Sequence, residues 1–301
     1  MIAAVDTYLA LRRVAGFRLS NTECLLRSFE RFARDRHELH VRTATAIAWA
    51  SQSLSIAQRH TRYETVRRFA MHVQFDDPQH ETPPPNHFGY RKTRRPPRLY
   101  TPAEIDQLVA AAAHLSPPDS LRPHTYAALI SLLAATGLRI SEALTLQVSD
   151  ITRDGLLIRK TKFQKTRLVP LHDTAIAGLG QYLRHRQRLQ PKGAWVFVSN
   201  CGHQLAYPDV HAVFRALVTA AHLHSAGRRA PSLHGLRHTF AVRVLEASPA
   251  GRQRIGQSMR ALATYLGHVS IASTYWYLEA TPELLTDVAA AGERFMGGGR
   301  P

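Results

Sequence analysis

Residues 82–98, TPPPNHFGYRKTRRPPR, restrict the possible folds of this chain more than any other stretch. Prolines occupy positions 83–85, 96 and 97, and proline interrupts helices and central strands because it lacks a backbone N–H and fixes φ. The stretch is therefore predicted to be an extended linker between two domains, at residues 1–81 and 99–301. A chain of 301 residues is long enough to build a core in each of them.

The linker and the whole chain are strongly basic. Lys and Arg total 39 against 22 Asp and Glu, a formal net charge of +17. Such an excess favours a nucleic-acid partner, because each phosphate contact releases counterions, although a basic surface also aids solubility. The linker itself fits either a solvated connection or a strap along a phosphate backbone; its cations are Arg91, Lys92, Arg94, Arg95 and Arg98.

The sequence indicates neither a disulfide framework nor a targeting segment. Cys24 and Cys201 lie far apart in the sequence, as is usual for reduced thiols. The N-terminal stretch is amphipathic and carries Asp6, Arg12 and Arg13, which argues against a signal peptide. No stretch is apolar for long enough to span a bilayer. We expect a cytoplasmic protein that associates with the nucleoid.

The apolar periodicity of the first domain predicts four short helices. The fourth helix carries a basic face, which is either solvated or a candidate for contact with a DNA groove. The residues of that face are Arg59, Arg62, Arg67 and Arg68.

The second domain is predicted to be mainly helical with a small β-hairpin, an α+β fold. Thr101, Pro102 and Glu104 form a capping-box start for its first helix. Residues 124–137 are almost all apolar, which predicts a central buried helix that ends with a left-handed cap at Gly137. Residues 156–171 predict the hairpin, and helices dominate again from Thr174 onward.

Two short segments of this domain bring candidate cations. In ATGLRISEAL, Arg139 follows the helix cap, where its guanidinium either forks onto a phosphate or pairs with Glu142 as a structural bridge. Ser141 is expected to cap the next helix. The hairpin tip carries Lys162 and Lys165, and a lysine there is able to protonate a leaving oxygen, although most turn lysines have no such role.

Two further segments bring imidazoles and phenols. In LHGLRHTFA, His234 and Arg237 are helical neighbours at i and i+3, suited to stabilising a pentacoordinate phosphorus, whereas His238 is either supporting or a core residue. A metal site is disfavoured because no carboxylate or cysteine joins these histidines at ligand spacing. In YLGHVSIASTYWYLEA, Gly267 should end a helix, and Tyr275 and Tyr277 follow it.

The four segments together predict one kind of chemistry. Two arginines, a lysine, histidines and a tyrosine, without an acidic cluster for Mg²⁺, fit metal-free phosphoryl transfer to a phenol. No cofactor and no metal are therefore expected.

The same four segments, in the same order, resemble the tyrosine recombinase (phage integrase) family over residues 99–285. TGLRISEAL resembles the block of the first arginine, KTKFQKTRLVPL the lysine hairpin and LHGLRHTFA the His-x-x-Arg block. LGH followed nine residues later by tyrosine resembles the last block and selects Tyr277 over Tyr275. The family's catalytic residues fall on Arg139, Lys162, His234, Arg237, His268 and Tyr277.

The resemblance implies a mechanism and an architecture. Tyr277 would attack a DNA phosphate to form a 3′-phosphotyrosyl link. The two arginines and His268 would hold the non-bridging oxygens of that phosphate, and Lys162 would protonate the departing 5′-oxygen. His234 would assist proton transfer at the phenol, and Glu142 would orient the site. The resemblance also implies a C-shaped two-domain clamp on double-stranded DNA, with a helical core-binding domain at the N-terminus. A synaptic tetramer joined by the C-terminal segment 282–296, with other recombinases as possible partners, is the implied assembly.

Other interpretations remain open from the sequence. A type IB topoisomerase would use the same chemistry, and a non-catalytic DNA-binding regulator could share the fold. The stretch 248–259, between the last two blocks, is longer than expected for the family and suggests a surface insertion.

Overall fold

The computed structural model of the protein describes residues 2–17, 19–90, 97–159, 166–191, 193–224, 230–247, 255–267, 274 and 277. The chain divides into two compact units, Met1–Arg94 and Arg95–Pro301. The division falls within the proline-rich stretch 82–98, where helices and strands cannot continue.

The first unit is a bundle of four helices, as the sequence predicts. They are α1 (Ile2–Val14), α2 (Ser20–Arg34), α3 (Thr43–Ser51) and α4 (Ile56–Asp76). Aromatic residues from each helix meet in its core: Phe29 packs edge-on against Trp49, and Tyr8 against Phe69, with ring centroids 5.4 and 5.5 Å apart.

Part of the predicted linker packs on this bundle. The Tyr63 hydroxyl donates to the carbonyl of Pro84 at 2.9 Å, and the Tyr63 ring contacts Phe88 edge-on. On the far side of the division, Arg98 is buried in the second unit and donates to Glu104 at 2.8 Å. Arg98 therefore neutralises a carboxylate of its own unit and is not available as part of a phosphate-binding strap.

The second unit is mainly helical and includes a small sheet. Its helices are α5 (Pro102–Ala113), α6 (Leu121–Thr136), α7 (Ile140–Leu144), α8 (Asp173–Arg188), α9 (Tyr207–Ala220), α10 (Leu233–Glu246) and α11 (Ile255–Leu266). A 3₁₀ turn at Val148–Asp150 leads into the antiparallel strands β1 (Ile151–Thr152), β2 (Gly155–Ile158) and β3 (Arg167–Val169), in that order across the sheet. The predicted hairpin is β2 and β3, with Leu156 opposite Val169.

Helix α6 forms the centre of this unit and packs against α5, α8 and α10. Its residues Leu129, Ile130 and Leu133 are fully buried, which confirms the prediction of a central helix. The helix ends at Gly137 with φ 61°, the predicted left-handed cap, and the predicted capping box at Thr101 is also present.

Two local predictions were wrong. Ser141 lies inside α7 and does not cap it; Arg139 precedes the helix, and Glu142 accepts the hydrogen bond of its backbone N–H. The predicted surface insertion 248–259 is wrong for its last five residues, which belong to α11, where Met259 is fully buried against α10. Residues 248–254 lie outside the described residues. In the part of the chain that the structure describes, no helix is both long and apolar enough to cross a membrane.

Candidate active site

The candidate site lies where two helices end. Helix α6 ends at Gly137 and α11 ends before Gly267, and both glycines have positive φ, 61° and 66°. The last carbonyls of a helix lack helical partners and carry its negative partial charge, so they favour cations. Arg237, from α10, donates Nη1 to the carbonyl of Gly137 at 2.8 Å and Nη2 to that of Leu266 at 2.6 Å. One buried side chain thus ties the two helix ends together.

A second guanidinium reaches the same helix end. Arg139 donates Nη2 to the carbonyl of Gly267 at 3.1 Å, one residue beyond the Arg237 contact. Its side chain is 29% exposed, whereas Arg237 is 1% exposed. Burial lowers the pKa of Arg237 to about 10, and the nearby charge of Arg139 adds to the effect. Two like charges held side by side make a favourable place for a phosphate.

A buried carboxylate holds Arg139 in place. Glu142 accepts from the backbone N–H of Arg139 at 3.0 Å and from its Nη1 at 2.8 Å. It also accepts two hydrogen bonds from Arg167, at 2.7 and 3.0 Å. Burial alone raises the pKa of Glu142, but the hydrogen bonds and charges of Arg167 and Arg139 outweigh it, so the pKa is lowered. Glu142 is therefore an anion with two cationic partners, and the structural bridge to Arg139 is present.

Sequence reasoning missed Arg167, the second cation on Glu142. The signal was the alternation of β3, which puts Arg167 on the same face as Val169. Since Val169 is fully buried, Arg167 must point inward and needs a carboxylate. The positive φ of 66° favours glycine at position 267, where an added Cβ would also lie 2.9 Å from Arg167 Nη1.

Tyr277 is buried among apolar residues of α10 and α11 and is only 2% exposed. Its hydroxyl lies 3.2 Å from Nδ1 of His238, and the positive charge of Arg237 is near enough to act on it. Burial raises the pKa of Tyr277, and the charges of Arg237 and Arg139 only partly offset this. The phenol is therefore protonated at neutral pH and close to both guanidinium groups.

The two histidines of α10 take different positions. His234 is exposed, one helical turn before His238, and the two rings meet edge-on with centroids 4.4 Å apart. Arg237 faces inward from the same helix. The imidazole that contacts the phenol is thus that of His238, whereas the sequence pairs His234 with Arg237.

A further tyrosine, Tyr265, packs against the core of this region. Tyr265 stacks on Phe240, with centroids 5.4 Å apart, and burial raises its pKa to about 12. Several residues singled out from the sequence lie outside the described residues: Arg91, Lys92, Arg94, Arg95, Lys162, Lys165, His268, Tyr275 and the segment 282–296.

The four α4 arginines predicted to bind DNA contact two parts of the first unit, the end of α3 and Glu64 on α4 itself. Arg59 donates to the carbonyl of Ser53 at 2.6 Å, and Arg62 lies over the Trp49 ring at 5.2 Å, both at the end of α3. Arg67 pairs with the Glu64 carboxylate at 3.7 Å, and Arg68 donates to the Glu64 carbonyl at 3.0 Å. Arg68 is the exposed member of the four.

Metal ligands were sought throughout the described ranges. No group of three or more His, Cys, Asp or Glu side chains within them is arranged to hold a metal ion.

Comparison with known proteins identifies the family. The phage integrase family matches residues 98–283. The chain is 36% identical to a putative integrase/recombinase, y4rB, of Sinorhizobium fredii, over 97% of this chain and 96% of that protein. It is 34% identical to the tyrosine recombinase XerD of Caulobacter vibrioides, over 85% and 83%.

The fold agrees with this relationship. The structure of the Tn1549 transposon integrase, in complex with transposon right-end DNA, matches 97% of this chain and 98% of its own with a TM-score of 0.67 at 18% identity. The chain therefore belongs to the phage integrase family and is a site-specific tyrosine recombinase, an enzyme that cleaves and rejoins DNA.

Proposed function

We propose that Tyr277 is the nucleophile of this recombinase and forms a covalent 3′-phosphotyrosyl link with double-stranded DNA. One observation carries the proposal: the buried phenol packs against α10 and α11, where Arg237 and Arg139 meet at one helix end, and both of their charges act on it. The phosphate would bind between Arg139 and Arg237, and these donors would stabilise the charge that develops on its oxygens. The bond energy is kept in the phosphotyrosyl link, so the reaction needs neither ATP nor a metal.

The other assigned residues complete the reaction. Lys162 protonates the departing 5′-oxygen, His268 donates a further hydrogen bond to the phosphate, and His234 assists proton transfer at the phenol. Glu142 orients Arg139, a role that its four hydrogen bonds to Arg139 and Arg167 support. His238 supports the phenol, consistent with its 3.2 Å contact.

We also propose how the two units divide the work on DNA. The first unit is the core-binding domain, with the α4 arginines and the basic residues 91–95 at the phosphate backbone, and Lys165 joins Lys162 at the hairpin. The second unit is the catalytic domain. Four copies act together at the synapse, joined by the segment 282–296. The net charge of +17 and the DNA-bound relative with the same fold support DNA as the partner. We propose that the enzyme works in the cytoplasm, at the nucleoid, where its DNA substrate lies.

The test is the capture of the covalent intermediate. The full-length protein is incubated with nicked duplexes made from the DNA ends that flank its gene, and denaturing gels reveal protein–DNA adducts. The wild-type protein and Tyr275→Phe should form the adduct, and Tyr277→Phe should form none. An adduct from Tyr277→Phe would refute the assignment, and relaxation of any supercoiled plasmid without sequence preference would favour a topoisomerase.

A further inference from the structure

The Tyr277 hydroxyl lies within hydrogen-bond distance of a group that can take its proton. Its oxygen is 3.2 Å from Nδ1 of His238. A phenol has one hydrogen to donate, and a neutral imidazole accepts at the ring nitrogen that carries no hydrogen. The tautomer of His238 with its hydrogen on Nε2 is the one that accepts from Tyr277 at Nδ1.

The position of Tyr277 makes a proton acceptor necessary. The phenol is 2% exposed, so water has little access to take its proton. A neutral phenol is a weak nucleophile, and removing its proton during attack on phosphorus is a task that imidazole performs well near neutral pH.

We propose that His238 is the proton acceptor for Tyr277 during DNA cleavage. The proposal rests on Tyr277 being the nucleophile. In the forward step the O–H bond of Tyr277 breaks and its proton moves to Nδ1 of His238, while the phenol oxygen forms a bond to phosphorus. The bond from phosphorus to the 5′-oxygen breaks, and that oxygen takes its proton from Lys162. Rejoining reverses each transfer, so protonated His238 returns the proton to Tyr277.

Several titratable and charged groups of the described residues lie next to His238. Its own helix contributes His234, whose ring lies edge-on at 4.4 Å, and Arg237, the preceding residue. Tyr277 packs against it from the chain after α11, with ring centroids 5.5 Å apart. The charges of Arg237 and Arg139 act on the phenol and stabilise the phenolate as it forms.

The experiment compares His238→Asn with the wild-type enzyme in single-turnover formation of the covalent adduct. Asparagine places a polar atom near the position of Nδ1 but cannot carry a proton at neutral pH. We expect the cleavage rate to fall by about 10²-fold and the limb of the pH–rate profile due to imidazole to disappear. Affinity for the duplex, measured in the same buffer, should be unchanged.

Two chemical changes separate proton removal from a structural role. Fluorinated tyrosine at position 277 has a more acidic phenol and should restore much of the rate of His238→Asn. A duplex with sulfur at the bridging 5′ position has a leaving group that needs no proton, so it should restore Lys162→Ala but not His238→Asn. His238→Gln provides a second variant if the asparagine variant does not fold.

The outcomes distinguish this inference from the proposed function. If Tyr277→Phe still forms the adduct, the proposed function is wrong. If Tyr277 is required but His238→Asn keeps the wild-type pH profile, only the inference fails. It also fails if His234→Gln removes the pH limb while His238→Asn retains it, or if the bridging sulfur restores His238→Asn.

Discussion

The arginines of α4 in the first unit and the arginines of the candidate site in the second make contacts over very different distances along the chain. In the first unit, Arg62 reaches a carbonyl 13 residues away, and Arg59 and Arg68 reach carbonyls six and four residues away. In the second unit, Arg139 and Arg237 bond to carbonyls 128 and 100 residues away. The first set joins a helix to its neighbour or to itself, whereas the second set brings charge from separate parts of the chain to one point. Similar side chains therefore stabilise a helix bundle in one unit and converge on the candidate active site in the other.

The largest effect on the cleavage rate is expected from the most buried long-range contact, that of Arg237. Arg237→Lys loses the forked contact with the two helix ends and one donor to the phosphate. The rate of adduct formation should fall by about 10²–10³-fold. Single-turnover cleavage of a nicked duplex measures it.

The control is Arg243→Lys on the same helix. Arg243 donates to the carbonyl of Tyr100 at 2.7 Å, away from the helix ends. Its cleavage rate should stay close to that of the wild-type protein. Equal losses from both variants would show that the helix, and not the Arg237 contact, is what matters.

A smaller effect, on stability, is expected from the ion pairs that Glu142 makes with Arg139 and Arg167. Arg167→Leu leaves buried Glu142 with one cation, and the free energy of unfolding should fall by about 3 kcal/mol at neutral pH. The pKa of Glu142 is lowered in the folded state, so its stabilising contribution is complete above the ordinary pKa of glutamate and is lost as the pH falls through the lowered value. Urea unfolding at neutral and acidic pH should therefore show that the difference in unfolding free energy between the wild-type protein and the variant becomes smaller as the pH falls.

Arg153→Leu, on the exposed turn between β1 and β2, removes the same charge without touching Glu142. It should leave the unfolding free energy nearly unchanged at both pH values. If the difference in unfolding free energy between the wild-type protein and Arg167→Leu stayed constant with pH, the ionised Glu142 would not be the cause of that difference.

Two glycine-to-alanine substitutions test the left-handed end of α6: one at that end and one inside another helix. Gly137→Ala forces an alanine to φ 61°, where its Cβ would lie 2.5 Å from the Phe240 ring. The left-handed backbone alone costs about 1–2 kcal/mol. Gly178→Ala lies within α8 with nothing within 4 Å of the added Cβ, so it should stabilise the protein by about 0.5–1 kcal/mol. The melting temperatures of the two variants should shift in opposite directions. If Gly137→Ala is as stable as the wild-type protein, the left-handed cap does not require glycine.

The smallest effect is expected in the first unit. Arg68→Ala removes an exposed charge of α4, which should weaken DNA binding a few-fold and reduce the slope of affinity against salt by about 1. Arg34→Ala, at the end of α2, removes the same charge from another helix. If both variants change the salt slope equally, the face of α4 is not a special contact surface.

Local chemistry could be predicted from the sequence because it depends on neighbours along the chain. The prolines at 83–85, 96 and 97 located the division of the chain, and Thr101 and Gly137 marked where helices begin and end. These features hold because a cap or a break needs only the dihedral angles and hydrogen bonds of a few adjacent residues.

The assembly of the site was decided only by the tertiary structure. No pattern within LHGLRHTFA shows which histidine faces the phenol, since that depends on how α10 is rotated against α11 and Tyr277. The role of Arg167 likewise appears only when β3 packs beside Glu142, which lies 25 residues earlier in the chain. The sequence therefore determined which chemical groups were available and where the helices end. Packing decided which groups meet, because a hydrogen bond between distant segments forms only when both are fixed by the same core.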